Sequence, residues 1–396
     1  MREILIYVVL LVTYLGIALG YIPGLRMNRP TIALVGSALL IGLGALSVEQ
    51  AWRSIDGKTI VFLLSMMVVN AGLAYGGFFQ VVLVNLIRLT HNPLGLLVTL
   101  VGGSGFLSAF LLNDTLALVC TPLTVQICQV LQLNPVPYLL GLAAATNIGS
   151  VATLSGNPQN ILIGSFSGIP YRDFALVMTP IAIFGLILTV GLLYLYYPDL
   201  RSLKPFPLPN VGSVKTYPPL FYKSIAITIG LMVAFLLGLP LAESALLAAT
   251  GFLITRRLKP DRFFHHIEWG LLILFCGLFV LTEVVRSTDL LTVFFPLIQH
   301  PIGFLTTVTI LSNLISNVPT VLLLYPLIGE GDTNSWLLLA AASTLGGNFT
   351  LFGAVANLIT AEAAEREGHK LNFWTHACYG IPLTIGTLAI AYLWIL

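Results

Sequence analysis

Residues 311–319 read "LSNLISNVP" and lie inside a segment, Leu290 to Gly329, that contains no Asp, Glu, Lys or Arg. Closely spaced serine and asparagine side chains followed by a proline interrupt a helix. Backbone groups left unpaired at membrane depth are tolerated only where protein buries them or a water-filled cavity faces them. The stretch therefore predicts a broken helix at a binding site within a membrane protein.

The composition supports a membrane environment for the whole chain. Hydrophobic residues make up 57% of the 396 residues and charged residues only 9%, and the charges fall between long apolar blocks. The net charge of +2 indicates no nucleic-acid partner, because Lys and Arg in such a chain mark the topology of its loops. The four cysteines lie in apolar segments without a CxxC pair, which predicts neither a disulfide framework nor a zinc site.

Hydropathy along the chain predicts ten spans and two interrupted apolar stretches. The first of them, residues 4–22, has about the length that crosses a bilayer, roughly 20 residues, and it is kept as a span because no convincing signal-peptide cleavage site follows it. The predicted spans are residues 4–22, 30–47, 58–74, 137–167, 174–197, 219–238, 240–256, 268–285, 335–361 and 374–395. The interrupted stretches, 93–128 and 301–328, are predicted to be re-entrant helical hairpins with their tips at Asn113 and Asn317.

The two halves of the chain resemble each other at three collinear places. "SAFLLNDTLALVCTP" (108–122) aligns with "SNLISNVPTVLLLYP" (312–326) and pairs Asn113 with Asn317. "AAATNIGSVATLSGNPQN" (143–160) aligns with "AAASTLGGNFTLFGAVAN" (340–357) with eight identities in eighteen positions, and "SIDGKTIVF" (54–62) aligns with "HIEWGLLIL" (266–274). We infer an internal duplication, and broken segments at corresponding places in two halves indicate a transporter's binding site.

This duplication predicts the domain organisation. The first repeat covers 1–197, with a scaffold at 1–90 and a hairpin and broken helix at 91–197. A linker follows at 198–218, and the second repeat covers 219–396, with a scaffold at 219–299 and a hairpin and broken helix at 300–396. Because each repeat has five spans, the second is inserted upside down relative to the first. The predicted fold is an all-α polytopic membrane protein with two inverted-topology repeats, about ten transmembrane helices, two re-entrant hairpins and helices broken at the midplane.

The distribution of positive charge predicts the orientation. The topology puts thirteen of the 18 Lys and Arg residues on the side of the linker and five on the other. The positive-inside rule then places the linker in the cytoplasm and both termini outside. The predicted location of the protein is the cell membrane, that is, the inner or plasma membrane.

Polar residues of the tips and breaks form the predicted binding site. Helix N-termini offer N–H donors that suit an anion, and helix C-termini offer carbonyl groups that suit a cation such as Na⁺. We expect both kinds of end at the site. An isolated Asn, Ser or Thr is more often an interhelical hydrogen-bonding residue, but clustering at paired breaks favours the functional interpretation. The candidate residues are Asn113, Asp114, Thr115, Asn147, Thr153, Gly156, Asn157, Asn160, Ser316, Asn317, Pro319, Thr344, Asn348, Thr350 and Asn357.

Asp114 is the only Asp, Glu, Lys or Arg between Leu89 and Tyr171. An acidic residue at membrane depth is costly and indicates a function by default. Asp114 can coordinate a coupling cation, can carry a proton because burial disfavours the charged carboxylate, or can cap the second hairpin helix. No Lys or Arg lies in either tip or break, so we expect helix dipoles, amides and a co-bound cation to hold any bound anion.

At these residues the chain resembles the ion transporter superfamily of arsenite permeases, NhaD-type sodium/proton antiporters, citrate transporters and divalent anion/sodium symporters. "NDTLALVCTP" and "SNLISNVPTVLL" are similar to the two hairpin motifs of these permeases, and "GNPQN" is similar to an element after their first broken helix. The resemblance implies a homodimer with elevator-type alternating access. The Ser-Asn-Thr tips of the divalent anion/sodium symporters are not intact here, since the first tip reads Leu112-Asn113-Asp114 and the second Ser316-Asn317-Val318.

The sequence thus predicts a secondary active transporter that moves a small anion and is coupled to Na⁺ or H⁺. Asn113, Asp114 and Asn317 are the candidate Na⁺ ligands, and no other cofactor is expected. The alternatives are a Na⁺/H⁺ antiporter that uses Asp114 and an arsenite efflux permease.

"GGSG" (102–105) fits an intramembrane serine protease motif, but every histidine lies at a span end or in a loop, so an enzyme is not expected. A channel protein would have the same apolar composition, but paired re-entrant hairpins in inverted halves suit alternating access better than a permanent pore. No nucleotide motif is present, so a gradient or a separate ATPase subunit drives transport.

Overall fold

The computed structural model describes residues 1–88, 90–202, 218–254, 260–329 and 331–396. All its long regular elements are helices, and their order is the same in both halves of the chain. The predicted linker falls largely on 203–217, outside the described residues.

The first half begins with five helices before its hairpin. These are α1 (Arg2–Leu19), α2 (Arg29–Gly42), α3 (Val48–Ser54), α4 (Gly57–Gly76) and α5 (Phe78–Arg88). The predicted span 30–47 was too long, because α2 ends at Gly42 and a Ser47 capping box starts α3. Helix α5 was missed, since no predicted span or hairpin covers residues 78–88.

The hairpin and interrupted helix of the first half follow. They comprise α6 (Pro93–Phe110), α7 (Asn113–Val130), α8 (Val136–Ser150), α9 (Pro158–Phe166) and α10 (Tyr171–Tyr196). Two asparagines define helix starts here. The side chain of Asn92 accepts a hydrogen bond from Gly95 N at 2.7 Å, and that of Asn157 accepts one from Asn160 N at 2.8 Å. Each is followed by a proline at the first helical position, where a missing N–H group costs nothing.

The second half repeats this order with different lengths. Its helices are α11 (Pro218–Leu236), α12 (Leu241–Leu253), α13 (Pro260–Phe264), α14 (Trp269–Arg286), α15 (Phe295–Ile298), α16 (Pro301–Ile315), α17 (Asn317–Leu324), α18 (Thr333–Leu345), α19 (Val355–Arg366) and α20 (Phe373–Ile395). Seven helices of the described residues are apolar and long enough to cross a membrane: α1, α4, α6, α10, α11, α14 and α20. The prediction of an all-α polytopic membrane protein is confirmed.

The halves interlock through reciprocal helix pairs. Helix α2 packs along α14, α4 packs along α12, and α10 packs along α20. Helices α8 and α18 lie at the centre, and almost every residue of both is buried. Exchanged partners of this kind are expected of two related halves, while the boundaries and opposite insertion of the repeats stay a prediction. The centre of the fold therefore holds both interrupted helices.

Candidate substrate and ion site

The two helix breaks have the same internal hydrogen bonds. Asn160 Nδ2 donates to the carbonyl oxygens of Ser150 at 3.1 Å and Thr153 at 2.9 Å. Asn357 Nδ2 donates to the carbonyl oxygens of Gly347 at 2.9 Å and Thr350 at 3.2 Å. These are corresponding residues in the aligned segments 143–160 and 340–357. Each asparagine satisfies carbonyl groups that the break leaves without helical partners.

Glycine is required where the first break touches the first hairpin. A Cβ atom at Gly156 would collide with the carbonyl oxygen of Ser150 and lie 2.8 Å from that of Ser108. The carbonyl oxygen of Gly156 also accepts a hydrogen bond from Asn113 N at 3.2 Å, which ties the break to the hairpin tip. The same tip is tied by Thr153, whose hydroxyl donates to the carbonyl oxygen of Ala109.

The side chain of Asn147 connects the two halves of the chain by hydrogen bonds. Its Nδ2 donates to Asn348 Oδ1 and to Asn357 Oδ1, both at 2.9 Å, and its Oδ1 accepts from Asn113 Nδ2 at 3.3 Å. A second connection runs from Asn157 Nδ2 to Thr344 Oγ1 at 3.3 Å. All these side chains are buried. The network therefore joins the first tip and both breaks into one hydrogen-bonded unit.

One cavity of about 340 Å³ lies where the tips and breaks meet. Most of its polar lining comes from the first turns of helices. Its lining residues are Ile17, Arg29, Pro30, Asn113, Asp114, Pro158, Gln159, Glu268, Gly270, Leu271, Leu274, Ser316, Asn317, Val318, Pro319, Ala354 and Val355. Four helices of the hairpins and breaks begin at this cavity, namely α7, α9, α17 and α19, and the helices α2 and α14 begin there as well. Both kinds of helix end were expected, but the hairpins and breaks contribute mainly N-terminal ends.

Three of those four N-termini have no side-chain cap. No side chain caps α7, α17 or α19, whereas Asn157 caps α9. Uncapped N-terminal N–H groups and the positive end of the helix dipole are suited to an anion. The arrangement can therefore supply backbone donors to a negatively charged ligand from three directions.

The second tip contains a strained residue. Ser316 joins α16 to α17 with φ 78° and ψ 162°, a conformation that is essentially restricted to glycine. Its aligned partner Leu112 has φ −57° and ψ 123°, an ordinary conformation. A single strained residue thus makes the turn of the second hairpin and places Asn317 at the cavity.

The predicted residues divide into those that line the cavity and those that brace it. Asn113, Asp114, Ser316, Asn317 and Pro319 line it. The bracing residues are Asn147, Thr153, Gly156, Asn157, Asn160, Thr344, Asn348 and Asn357. Thr115 and Thr350 lie outside the cavity, and the Thr350 hydroxyl donates to Asn313 Oδ1 at 2.8 Å. Their roles in binding stay predictions.

Sequence analysis missed two charged residues of the cavity. Arg29, at the start of α2, reaches the lining, and its Nε donates to the carbonyl oxygen of Ile17 at 3.0 Å. Glu268, the residue before α14, lines the cavity from the same side. Arg29 therefore adds a cationic side chain to the dipoles and amides that the sequence led us to expect at the site. Packing of α2 against α14 brings these two residues to the cavity, although both lie far from the tips in the sequence.

Asp114 does not act as a helix cap. No side-chain cap bond is made at the start of α7, where Asp114 occupies the first turn. Its side chain has no hydrogen bond or ion pair with another described residue and is only 9% exposed. A carboxylate without a partner beside a cavity is free for a ligand.

A second cavity of about 760 Å³ lies between α16 and α20. Its lining is mainly apolar and includes Ile302, Leu388 and Leu393. Ser104 of the protease-like motif lies elsewhere on α6 and donates to the carbonyl oxygen of Leu100 at 2.6 Å. Neither place gathers polar groups as the smaller cavity does.

Comparisons with known proteins identify the family of the chain. The family model described as "Citrate transporter" matches residues 8–333. The chain belongs to this family. It is a multi-pass integral membrane protein of a transporter family and not an enzyme. The resemblance to the ion transporter superfamily is confirmed at this level.

Relatives span nearly the full chain. A 46 kDa membrane protein of Mycobacterium leprae is 29% identical, with 98% of this chain and 97% of the relative covered. The silicon efflux transporter LSI3 of Oryza sativa is 28% identical, with 93% and 92% covered. The inner membrane protein YbiR of Escherichia coli is 27% identical, with 89% and 93% covered. The crystal structure of the Alcanivorax borkumensis YdaH transporter shares the fold, with a TM-score of 0.60, 16% identity, and 100% and 98% covered.

Proposed function

We propose that this chain is a secondary active transporter that moves a small anion across the membrane in exchange for, or together with, a monovalent cation. The observation that carries the proposal is the convergence of the N-termini of α7, α9, α17 and α19, from both hairpins and both breaks, on one cavity. N-terminal N–H groups bind anions, and polar broken helices at corresponding places in two halves are typical of transporter sites. Arg29 adds a guanidinium group to the same cavity.

A cation completes the charge balance of the site. Asp114 lines the cavity without a partner among the described residues. Asn113 Oδ1 and Asn317 Oδ1 are also buried without a hydrogen bond, and both residues line the cavity. Oxygen atoms are the ligands that hard cations prefer, so we propose Asn113, Asp114 and Asn317 as ligands of Na⁺, with a proton on Asp114 as the other form of coupling.

We propose elevator-type alternating access as the movement. The network around Asn147 joins the first tip to both breaks, and α17 packs on α9 and α18. The pairs α2 with α14 and α4 with α12 form a framework of apolar helices that contacts this unit through α9 and α17. A hydrogen-bonded unit beside such a framework is suited to move as one body. Homodimer formation and a separate ATPase subunit stay predictions.

A second candidate is the efflux of a weak oxyacid such as arsenite or silicate. Asp114 and Glu268 place two carboxyl groups beside one guanidinium in the cavity, which disfavours a trianion and favours a weakly charged hydroxylated solute. Relatives named as a silicon efflux transporter and as a putative arsB transporter of Dictyostelium discoideum point to the same chemistry.

Ligand-dependent thermal stability of the purified protein tests these alternatives. A ligand that binds the folded state raises the melting temperature by mass action. The panel is citrate, a dicarboxylate, sulfate, arsenite and silicate, each with Na⁺ or choline and at two pH values. Stabilisation by one anion that depends on Na⁺ or on pH supports coupled anion transport. Stabilisation by Na⁺ or Li⁺ alone, stronger at high pH and unchanged by every anion, would establish the Na⁺/H⁺ antiporter alternative instead.

A further inference from the structure

The charged residues of the cavity come from two different parts of the fold. Asp114 belongs to the first hairpin, whereas Arg29 and Glu268 belong to the framework helices α2 and α14. Asp114 is buried, and Glu268 is exposed on the framework side of the cavity. The cavity is therefore lined by one carboxyl group on the proposed moving unit and one on the framework.

Glu268 has no partner that would explain its position. Its side chain makes no cap bond at the start of α14 and no ion pair within the described residues. Three other glutamates of the described chain do pair with a neighbouring cation: Glu49 with Arg53, Glu283 with Arg286, and Glu365 with Lys370. A carboxylate facing a cavity that already contains Asp114 is unfavourable without a counterion.

Two uncharged amide oxygen atoms, one at each hairpin tip, indicate the chemical class of the ligand. Asn113 is 5% exposed and Asn317 is 8% exposed, and the Oδ1 atom of each lacks a hydrogen bond. Buried acceptors without a donor destabilise a protein unless a ligand satisfies them. Acceptors from both tips and carboxylates from two elements form a set of oxygens suited to a cation.

The charges set the number of cations. Arg29, Asp114 and Glu268 are the charged side chains of the described cavity lining, and together they carry a single net negative charge when both carboxyl groups are ionised. Arg29 is oriented by the carbonyl oxygen of Ile17 and forms no ion pair with either carboxylate among the described residues. One monovalent cation neutralises this set.

We propose that Glu268 is a second carboxylate of the coupling-cation site, so that one monovalent cation lies between Asp114 on the hairpin and Glu268 on α14. The inference rests on the proposed function and names the residue that links the cation to the movement. Because Glu268 stays on the framework, movement of the hairpin separates the two carboxylates and weakens the site. The cation is then bound most tightly in the state in which the cavity faces the start of α2 and α14.

The test measures the thermal stability of the purified full-length protein in two titrations. One titrates NaCl against choline chloride at fixed pH, and the other varies pH without Na⁺. The variants are Asp114→Asn, Glu268→Gln and Glu268→Asp. Glu243→Gln is the matched control, because Glu243 is exposed in the first turn of α12 and does not line the cavity.

We expect Glu268→Gln to raise the midpoint of Na⁺ stabilisation by about tenfold or more, since the variant removes a full charge from the site. Glu268→Asp recovers part of the affinity, Glu243→Gln matches the wild type, and Asp114→Asn abolishes the stabilisation. If the cation is a proton, Na⁺ has no effect on any variant, and the same order is observed in the pH titration. If Glu268→Gln fails to fold, the Glu268→Asp midpoint decides, with a shift of roughly threefold or more expected.

Two results separate the inference from the function on which it rests. If both Glu268 variants match the wild type while Asp114→Asn loses the effect, Glu268 is not part of the site and the inference is wrong. If Asp114→Asn also matches the wild type in both titrations, cation coupling itself is wrong, and the inference falls with it.

Discussion

The proposal that backbone N–H groups bind the anion is tested by changing one backbone donor at the start of α19. Val355 occupies the first helical position and lines the cavity, and no side chain caps this helix. Val355→Pro removes the N–H group there and keeps a small apolar side chain. Ala354 has φ −135° and ψ 145°, the extended conformation that a residue before proline adopts.

The first half shows that this position accepts proline. Pro158 occupies the aligned first position of α9, after Asn157 with φ −152° and ψ 161°. Proline at the first helical position removes no intrahelical hydrogen bond, so we expect little change in stability. A hydrogen bond to a charged group contributes about 1.5–3 kcal/mol, so its loss weakens anion binding roughly ten- to a hundredfold.

The assay is isothermal titration of the purified protein with the anion that stabilises it most. Val355→Ala is the matched control, because it shortens the same side chain and keeps the N–H group. The reasoning is refuted if Val355→Pro and Val355→Ala bind the anion with equal affinity while both melt at the wild-type temperature.

Three further substitutions test the architecture of the site, two through unfolding in mixed micelles and one through transport. Asn147→Ala removes three hydrogen bonds, and we expect it to lower the free energy of unfolding by about 2–6 kcal/mol. Asn70→Ala is the control and should lower it less, because the amide atoms of Asn70 are buried without a partner among the described residues. Equal losses in the two variants would contradict the network. Gly156→Ala places a Cβ atom against backbone atoms, and we expect it to abolish transport. Gly102→Ala is the control and should retain transport, because a Cβ atom there has no neighbour within 4 Å. Transport by both variants would refute the close packing of the first break. Ser316→Gly relieves the strained tip and raises the free energy of unfolding by up to about 2 kcal/mol, and a decrease would show that the tip is not strained.

Local signals in the sequence located the tips and breaks well. Asn113 and Asn317 were predicted as the tips, and each is the first residue of the second helix of its hairpin. A break within residues 143–160 was also predicted, and the helix α9 restarts there at Pro158, after Gly-Asn, residues that stop and cap helices. Such features depend on neighbouring residues alone, so a single sequence contains them.

Features that depend on packing could not be found in the same way. Arg29 directly precedes the predicted span 30–47 and Glu268 is the first residue of the predicted span 268–285. Charged residues at span ends ordinarily mark topology, and only the packing of α2 on α14 brings these two to the cavity. The sequence also could not separate Asn113, which lines the cavity, from Asn147, which braces it, since both are asparagines in apolar helices. The available signal was a charged residue at the start of an apolar span.

The central claim is that the cavity couples an anion to a cation during transport. Uptake of the stabilising anion, radiolabelled, into proteoliposomes with an imposed Na⁺ or H⁺ gradient tests it most directly. The account predicts accumulation above the external concentration that disappears in Asp114→Asn and when the cation gradient is removed. Flux that only equilibrates the anion, ignores both gradients and is unchanged in Asp114→Asn would contradict the account and indicate a channel.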